Sequence, residues 1–279
     1  MVRPRAKVRK LPEPRHVSRG VYLLPNLITS AGLFCGVFAI AQTVAQQYFN
    51  AALAILAAQL FDILDGRVAR LTKATSSFGV EYDSLCDLVS FGVAPGLLIY
   101  RWALLPWGAW GWLAAALFVC CAALRLARYN TMIGVTPAGF FVGLPVPAAA
   151  AMLASVLLLY NWLGHSGLPD KHLALLLATY LLAVLMVSNI PYPTFKQLRL
   201  HKRQPMWLLV VAILLLNFLI ARYQLVLFLG ASLYVLSGPV VWLAWRTAGL
   251  ESLPILPQAR QPEPEEDPDE QLAAPWRDS

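Results

Sequence analysis

At 279 residues, with 58% hydrophobic and only 13% charged positions and a mean hydropathy of +0.60, the chain lies outside the balance of a soluble domain, where about a quarter of residues are charged. Its net charge of +7 is a membrane-topology signature and not a nucleic-acid footprint, which requires basic residues clustered on one soluble domain. The composition predicts an all-α integral membrane protein.

Residues 1–20 hold seven basic residues, one acid and Pro4, Pro12 and Pro14, the pattern of a flexible cytoplasmic arm drawn to anionic headgroups. The prolines spoil the amphipathic helix of an organelle presequence. Eight apolar segments follow, near 23–45, 51–71, 84–104, 108–128, 146–163, 172–190, 206–221 and 225–245, each close to the roughly 20 residues of a spanning helix. No clear small-residue cleavage site ends the first, so it is a span and not a removed leader. Residues 21–246 are expected to form one transmembrane catalytic domain. Residues 247–279, rich in Pro, Glu and Asp, form a disordered acidic tail. With the N-terminus placed in the cytoplasm, nineteen Lys and Arg fall on cytoplasmic ends and three (Arg101, Lys171, Arg222) outside. That asymmetry sets the orientation and puts both termini inside.

Cys35, Cys86, Cys120 and Cys121 lie in apolar segments without a C-x-x-C pair and are expected to pack structurally. The four histidines are scattered and cannot make a zinc site. Any metal must therefore be held by oxygen.

The oxygen ligands are concentrated in one place. Of fifteen acidic residues eight lie in the C-terminal tail, and five of the other seven are Asp62, Asp65, Glu81, Asp83 and Asp87. The spacing is Asp62, two residues, Asp65-Gly66, two residues, Ala69-Arg70, eight residues, Gly79, three residues, Asp83, three residues, Asp87. Eight specified positions recur by chance with a probability on the order of 10⁻¹⁰ per start site, so the pattern is a signature. Asp62/Asp65 and Asp83/Asp87 have helical spacing, so each pair shares a helix face. The polar stretch Leu71 to Gly79 predicts a short cytoplasmic turn that lets both pairs converge. Four unpaired carboxylates at membrane depth would cost roughly 10–14 kcal/mol. Divalent cations offset that cost, and hard oxygen donors suit two Mg²⁺ or Mn²⁺ ions, a pair that usually serves phosphoryl chemistry. Gly66 and Gly79 admit either a ligand or a neighbouring helix. Arg70 is placed for a phosphate contact, against the alternative of an ordinary snorkelling cation. Glu81 stands off the Asp83/Asp87 face.

The complete eight-position pattern resembles that of the CDP-alcohol phosphatidyltransferase family, membrane enzymes that transfer a substituted phosphate from a CDP-linked donor to an alcohol and release CMP. The resemblance implies a six-helix core with about two further C-terminal helices. It implies that Asp62, Asp65, Asp83 and Asp87 ligate the metals, that Asp87 is also the general base, and that Gly66, Ala69, Arg70 and Gly79 line the nucleotide and pyrophosphate. The runs from Leu24 to Ser30, Arg125 to Asn130, Phe141 to Ala150 and Met186 to Lys196 look like those of the bacterial and archaeal phosphatidylserine synthase branch. That implies CDP-diacylglycerol as donor, L-serine as acceptor and a bacterial inner membrane as location. Other acceptors within the class are glycerol 3-phosphate, inositol phosphate and choline.

Arg125 and Arg128, three apart at the cytoplasmic end of the fourth segment, would suit an amino-acid carboxylate, with positive-inside anchoring as the alternative. Asn26 and Thr29 open the first helix, either as a cap after Pro25 or, by resemblance, as a nucleotide contact; Asn130 lies in the Arg125 region. A divalent-ion carrier is disfavoured, because the carboxylates occupy one edge and no acid continues the path before Asp170. Gly32-x-x-x-Gly36 and Gly92-x-x-x-Gly96 allow close helix approach within one subunit or between two, and the resemblance implies a homodimer.

Overall fold

The computed structural model describes residues 23–72, 77–131, 140–165, 169, 171–193, 210–211 and 221–247. Among them seven helical rods account for nearly the whole architecture: α1 (Leu23–Val44), α2 (Tyr48–Thr72), a long third rod, α5 (Ala109–Thr131), α6 (Val146–Trp162), α7 (Leu173–Val187) and α8 (Tyr223–Thr247). The third rod contains α3 (Ser77–Asp87) and α4 (Ala94–Ile99), with π-helical turns at Leu88–Val93 and Tyr100–Leu104 and a 3₁₀ turn at Leu105–Trp107. Four stretches are long and apolar enough to cross a membrane: Leu24–Val44, Phe78–Trp107, Ala109–Thr131 and Tyr223–Thr247; Val146–Trp162 and Leu173–Val187 are shorter apolar helices. The bundle is the all-α membrane fold that the composition predicts. The expected segment 206–221 falls almost wholly outside the described residues, as do the basic arm, Lys196 to Arg203 and the acidic tail.

The third span departs from expectation. Its rod begins at Ser77, seven residues before the apolar stretch that marks it in the sequence. Hydropathy registers only the apolar part, whereas the more polar turn from Gly79 to Asp83 packs on α1, where the Ser30 and Tyr82 hydroxyls lie 2.8 Å apart. The π turn follows directly after Asp87 and precedes Pro95. A proline ring clashes with the carbonyl four residues back and supplies no N–H. The ladder adjusts one residue earlier, where the Ala94 N–H donates to Val89 five residues back, a bulge typical of functional helices.

Small residues bring the rods together. Ala39 of α1 and Ala51, Ala52, Ala54 and Ala58 of α2 are all buried, so these two helices meet along an alanine seam. The two glycine pairs are used inside the subunit. Gly32 faces the Phe61 Cβ (3.5 Å from where its own Cβ would lie), and a Cβ at Gly36 would overlap the Ser90 side chain. Ser90 in turn donates to the Gly32 carbonyl at 3.3 Å. Gly92 packs against Leu88 and Ala122, and Gly96 against Val119. A homodimer would have to use other surfaces.

Gly66, by contrast, has nothing within 4 Å of the point where a Cβ would lie, which removes helix packing as the reason for glycine there. Gly36→Ala should therefore lower stability by about 1–3 kcal/mol through overpacking. Gly66→Ala should hold or raise stability, alanine being the better helix former. Thermal unfolding in detergent checks the pair.

A feature with no counterpart in the apolar periodicity is a two-stranded antiparallel ribbon, β1 (Phe140–Val142) against β2 (Pro191–Pro193). Gly143 turns the chain out of β1 at φ +78°, and its N–H donates to the Ile190 carbonyl at 2.9 Å. The ribbon delivers Tyr192, fully buried, to α8: its hydroxyl donates to the Val235 carbonyl at 3.2 Å, and its ring occupies the space a Cβ at Gly238 would need. This is the lock that seats α8.

Candidate active site

The carboxylates converge across α1. Asp62 and Asp65 project from the C-terminal half of α2, and Asp83 and Asp87 from α3. Helix α1 lies against both, and its Thr29, Gly32 and Leu33 line the cavity of about 10 Å³ that Asp62, Asp65, Asp83 and Asp87 also line. That is room for one water-sized occupant. The two-helix picture drawn from the spacing lacked this third wall.

One carboxylate oxygen each from Asp62, Asp83 and Asp87 lies within 4.8 Å of the others. Asp65 is in the same cavity but outside that triplet. It is buried, and its Oδ2 accepts a 2.7 Å hydrogen bond from the Thr29 hydroxyl. Thr29 is thus tied to the cluster, and its hydroxyl also lies 3.1 Å from the Pro25 carbonyl one turn back. Three carboxylate oxygens at this separation, without His or Cys, are a hard donor set that fits a divalent cation. An uncompensated cluster of this kind would be strongly self-repelling.

The two arginines part company. Arg125 is only 8% exposed, and its Nε is buried with no hydrogen-bond partner. An unpaired buried guanidinium nitrogen is costly, which suits this side chain to an anionic acceptor group. Arg128 turns to the end of α7, donating to the Val187 carbonyl at 3.3 Å and to the Asn189 Oδ1 at 2.7 Å. Asn130 donates to the Ser84 hydroxyl at 3.0 Å, tying α5 to the helix that carries Asp83 and Asp87.

Residues 22–188 match the family model for CDP-alcohol phosphatidyltransferase. The chain belongs to the CDP-alcohol phosphatidyltransferase family. It is similar to the CDP-diacylglycerol–serine O-phosphatidyltransferase of Helicobacter pylori (strain ATCC 700392 / 26695), 40% identical over 226 residues that cover 80% of this chain and 92% of that protein. The protein of the same name from Bacillus subtilis (strain 168) is 35% identical over 174 residues, 62% of this chain and 92% of the relative. That from Methanocaldococcus jannaschii is 34% identical over 182 residues, 63% and 77% of the two chains.

In this CDP-alcohol phosphatidyltransferase the remaining signature positions lie on the two helices that carry the cluster. Ala69 is half-buried on α2, Arg70 is exposed in its last turn, and Gly79 sits in the first turn of α3. Asn26, in the first turn of α1, accepts at its backbone carbonyl from Ser30 at 2.8 Å. Glu81 is exposed. The matched segment ends with α7, so α8 lies beyond it. Sequence reasoning missed Tyr82, Ser90, Asn189 and Tyr234. The first three act through contacts 52 to 61 residues away in sequence, and no local spacing signals them. Cys86 and Cys121 are buried and free, in keeping with a packing role.

Proposed function

We propose that this chain transfers the phosphatidyl group of CDP-diacylglycerol to L-serine, forming phosphatidylserine and CMP. The observation that carries the reading is the meeting of Asp62, Asp83 and Asp87, from two helices, around one point, in a chain whose relatives bear the name of that reaction.

Serine's hydroxyl is a poor nucleophile near neutral pH, so a base must accept its proton as the oxygen bonds to the β-phosphorus. Asp87 is that base. The phosphorus–oxygen bond to CMP breaks in the same displacement, and CMP leaves with the electron pair. Asp62, Asp65, Asp83 and Asp87 would hold two divalent ions, Mn²⁺ or Mg²⁺, which supply neutralisation of pyrophosphate and leaving-group charge when bound. Gly66 lets the donor's pyrophosphate approach α2, with Ala69 and Gly79 beside it, and exposed Arg70 contacts its phosphate. Asn26 and Thr29 face the nucleotide, Thr29 also orienting Asp65. Arg125 receives the serine carboxylate, with Arg128 fixing the end of α7 beside it. The nineteen-to-three distribution of basic residues supports a site at the cytoplasmic face, in what we take to be a bacterial inner membrane, with 21–246 as the catalytic domain between a basic arm and an acidic tail.

The direct test incubates purified protein with CDP-diacylglycerol, Mn²⁺ and, separately, serine, glycerol 3-phosphate, inositol phosphate and choline, and measures CMP. Serine-dependent CMP release supports the reading, and release with another alcohol alone overturns it. Arg125→Lys should raise KM for serine far more than KM for the donor, because a point charge cannot replace a bidentate fork. Arg128→Lys should have the smaller effect on serine, since its guanidinium is already engaged with α7. Equal effects of Arg125→Lys on both substrates would assign Arg125 to anchoring.

A further inference from the structure

The helix beyond the family match forms one wall of a second recess. A cavity of about 450 Å³ lies between α2, α6 and α8. Its lining is apolar, with Leu56 from α2, Ala151 from α6, and Leu227, Gly230 and Ala231 from α8, and it includes one carboxylate, Asp62. Asp62 also lines the small carboxylate cavity, so the two spaces share a residue. From Asp62 to Leu56 the recess follows α2 for about 9 Å along the helix axis. Tyr234 lines it from α8 and packs against Tyr192 with ring centroids 5.7 Å apart, which holds that wall in register. Only 11% of the apolar window of α8 is buried, so most of the helix faces outward, and the side that meets α6 leaves this recess open.

An apolar trough that begins at a charged cluster has an amphiphilic occupant, its polar end at the carboxylates and its hydrocarbon along the helices. We propose that this recess holds an acyl chain of the lipid donor, and that α8, through Gly230, sets the chain that fits. The proposal rests on the phosphatidyl-transfer reading of the same site. Gly230 is the position that exposes it to test: nothing lies within 4 Å of the place a Cβ would occupy, so a larger side chain enters the recess without striking the protein.

The experiment compares Gly230→Leu with the unaltered protein, using CDP-diacylglycerol with two eight-carbon chains and with two sixteen-carbon chains and serine in excess. The ratio of kcat/KM for the short donor over the long one should rise by about tenfold or more, the scale on which a filled apolar pocket discriminates hydrocarbon. An unchanged ratio overturns the proposal. A second measurement needs no variant: a long-chain donor with a diazirine in one acyl chain is photolysed in the unaltered protein, and the labelled residues are mapped by mass spectrometry. Labels on the recess lining, at Leu56 or Ala151 or within 226–234, competed by unlabelled donor, support the proposal. Labels outside that lining only, or labels on it that donor does not compete, overturn it. If the phosphatidyl-transfer reading itself failed, neither donor would yield CMP with the unaltered protein, which is a different outcome from an unchanged ratio.

Discussion

Asp62→Asn or Asp83→Asn should lower turnover by about 10³-fold or more, while the protein still inserts and purifies. The three oxygens of Asp62, Asp83 and Asp87 within 4.8 Å of one another are a charge cluster that only cations offset in an apolar setting. A bound divalent ion contributes several kcal/mol to phosphoryl transfer, and each 1.36 kcal/mol is tenfold in rate, which gives about that factor. Excess chelator should abolish CMP release from the unaltered protein, and Mn²⁺ or Mg²⁺ should restore it. Full activity in chelator would refute the metal reading. Asp65→Asn tests a finer point. Its Oδ2 is held by Thr29, so Thr29→Val should reproduce part of the Asp65→Asn loss, whereas it should not reproduce that of Asp83→Asn.

Asp87→Asn should lower kcat by about 10²–10⁴, the range of a lost general base, with little change in KM for the donor. The corresponding mechanism is a single in-line displacement. Ser84 and Cys86 are the serine and cysteine between Asp83 and Asp87, and neither is matched to a histidine in the sequence nearby. Ser84 is instead bonded to Asn130 and to the Val80 carbonyl, and an activated nucleophile needs an adjacent base. A donor with a chirally labelled β-phosphate should therefore give inverted product. Retention, or a phosphatidylated protein formed without serine, would require two displacements and would overturn the assignment.

The chain's own order of residues determined its class and its reaction centre. Hydropathy alone specifies a membrane bundle, because lipid imposes long apolar helices. The spacing from Asp62 to Asp87 specifies a carboxylate site, because helical period decides which side chains share a face. Tertiary structure decided which faces meet, and period carries no information about that. Arg125 and Arg128 share a helix face by spacing, yet packing buries the Nε of one without a partner and hands the other to Asn189. Asp65 matches its neighbours in spacing, but Thr29, 36 residues away, captures one of its oxygens. Gly36 and Gly66 are the same residue in two adjacent helices; Ser90 crowds the first and open space surrounds the second. Tyr234 lines the Asp62 recess from a helix that packs on α6 and is contacted by Tyr192, 42 residues away. These contacts join residues far apart in sequence, where the close fit of side chains, and not a repeating local pattern, chooses the partner.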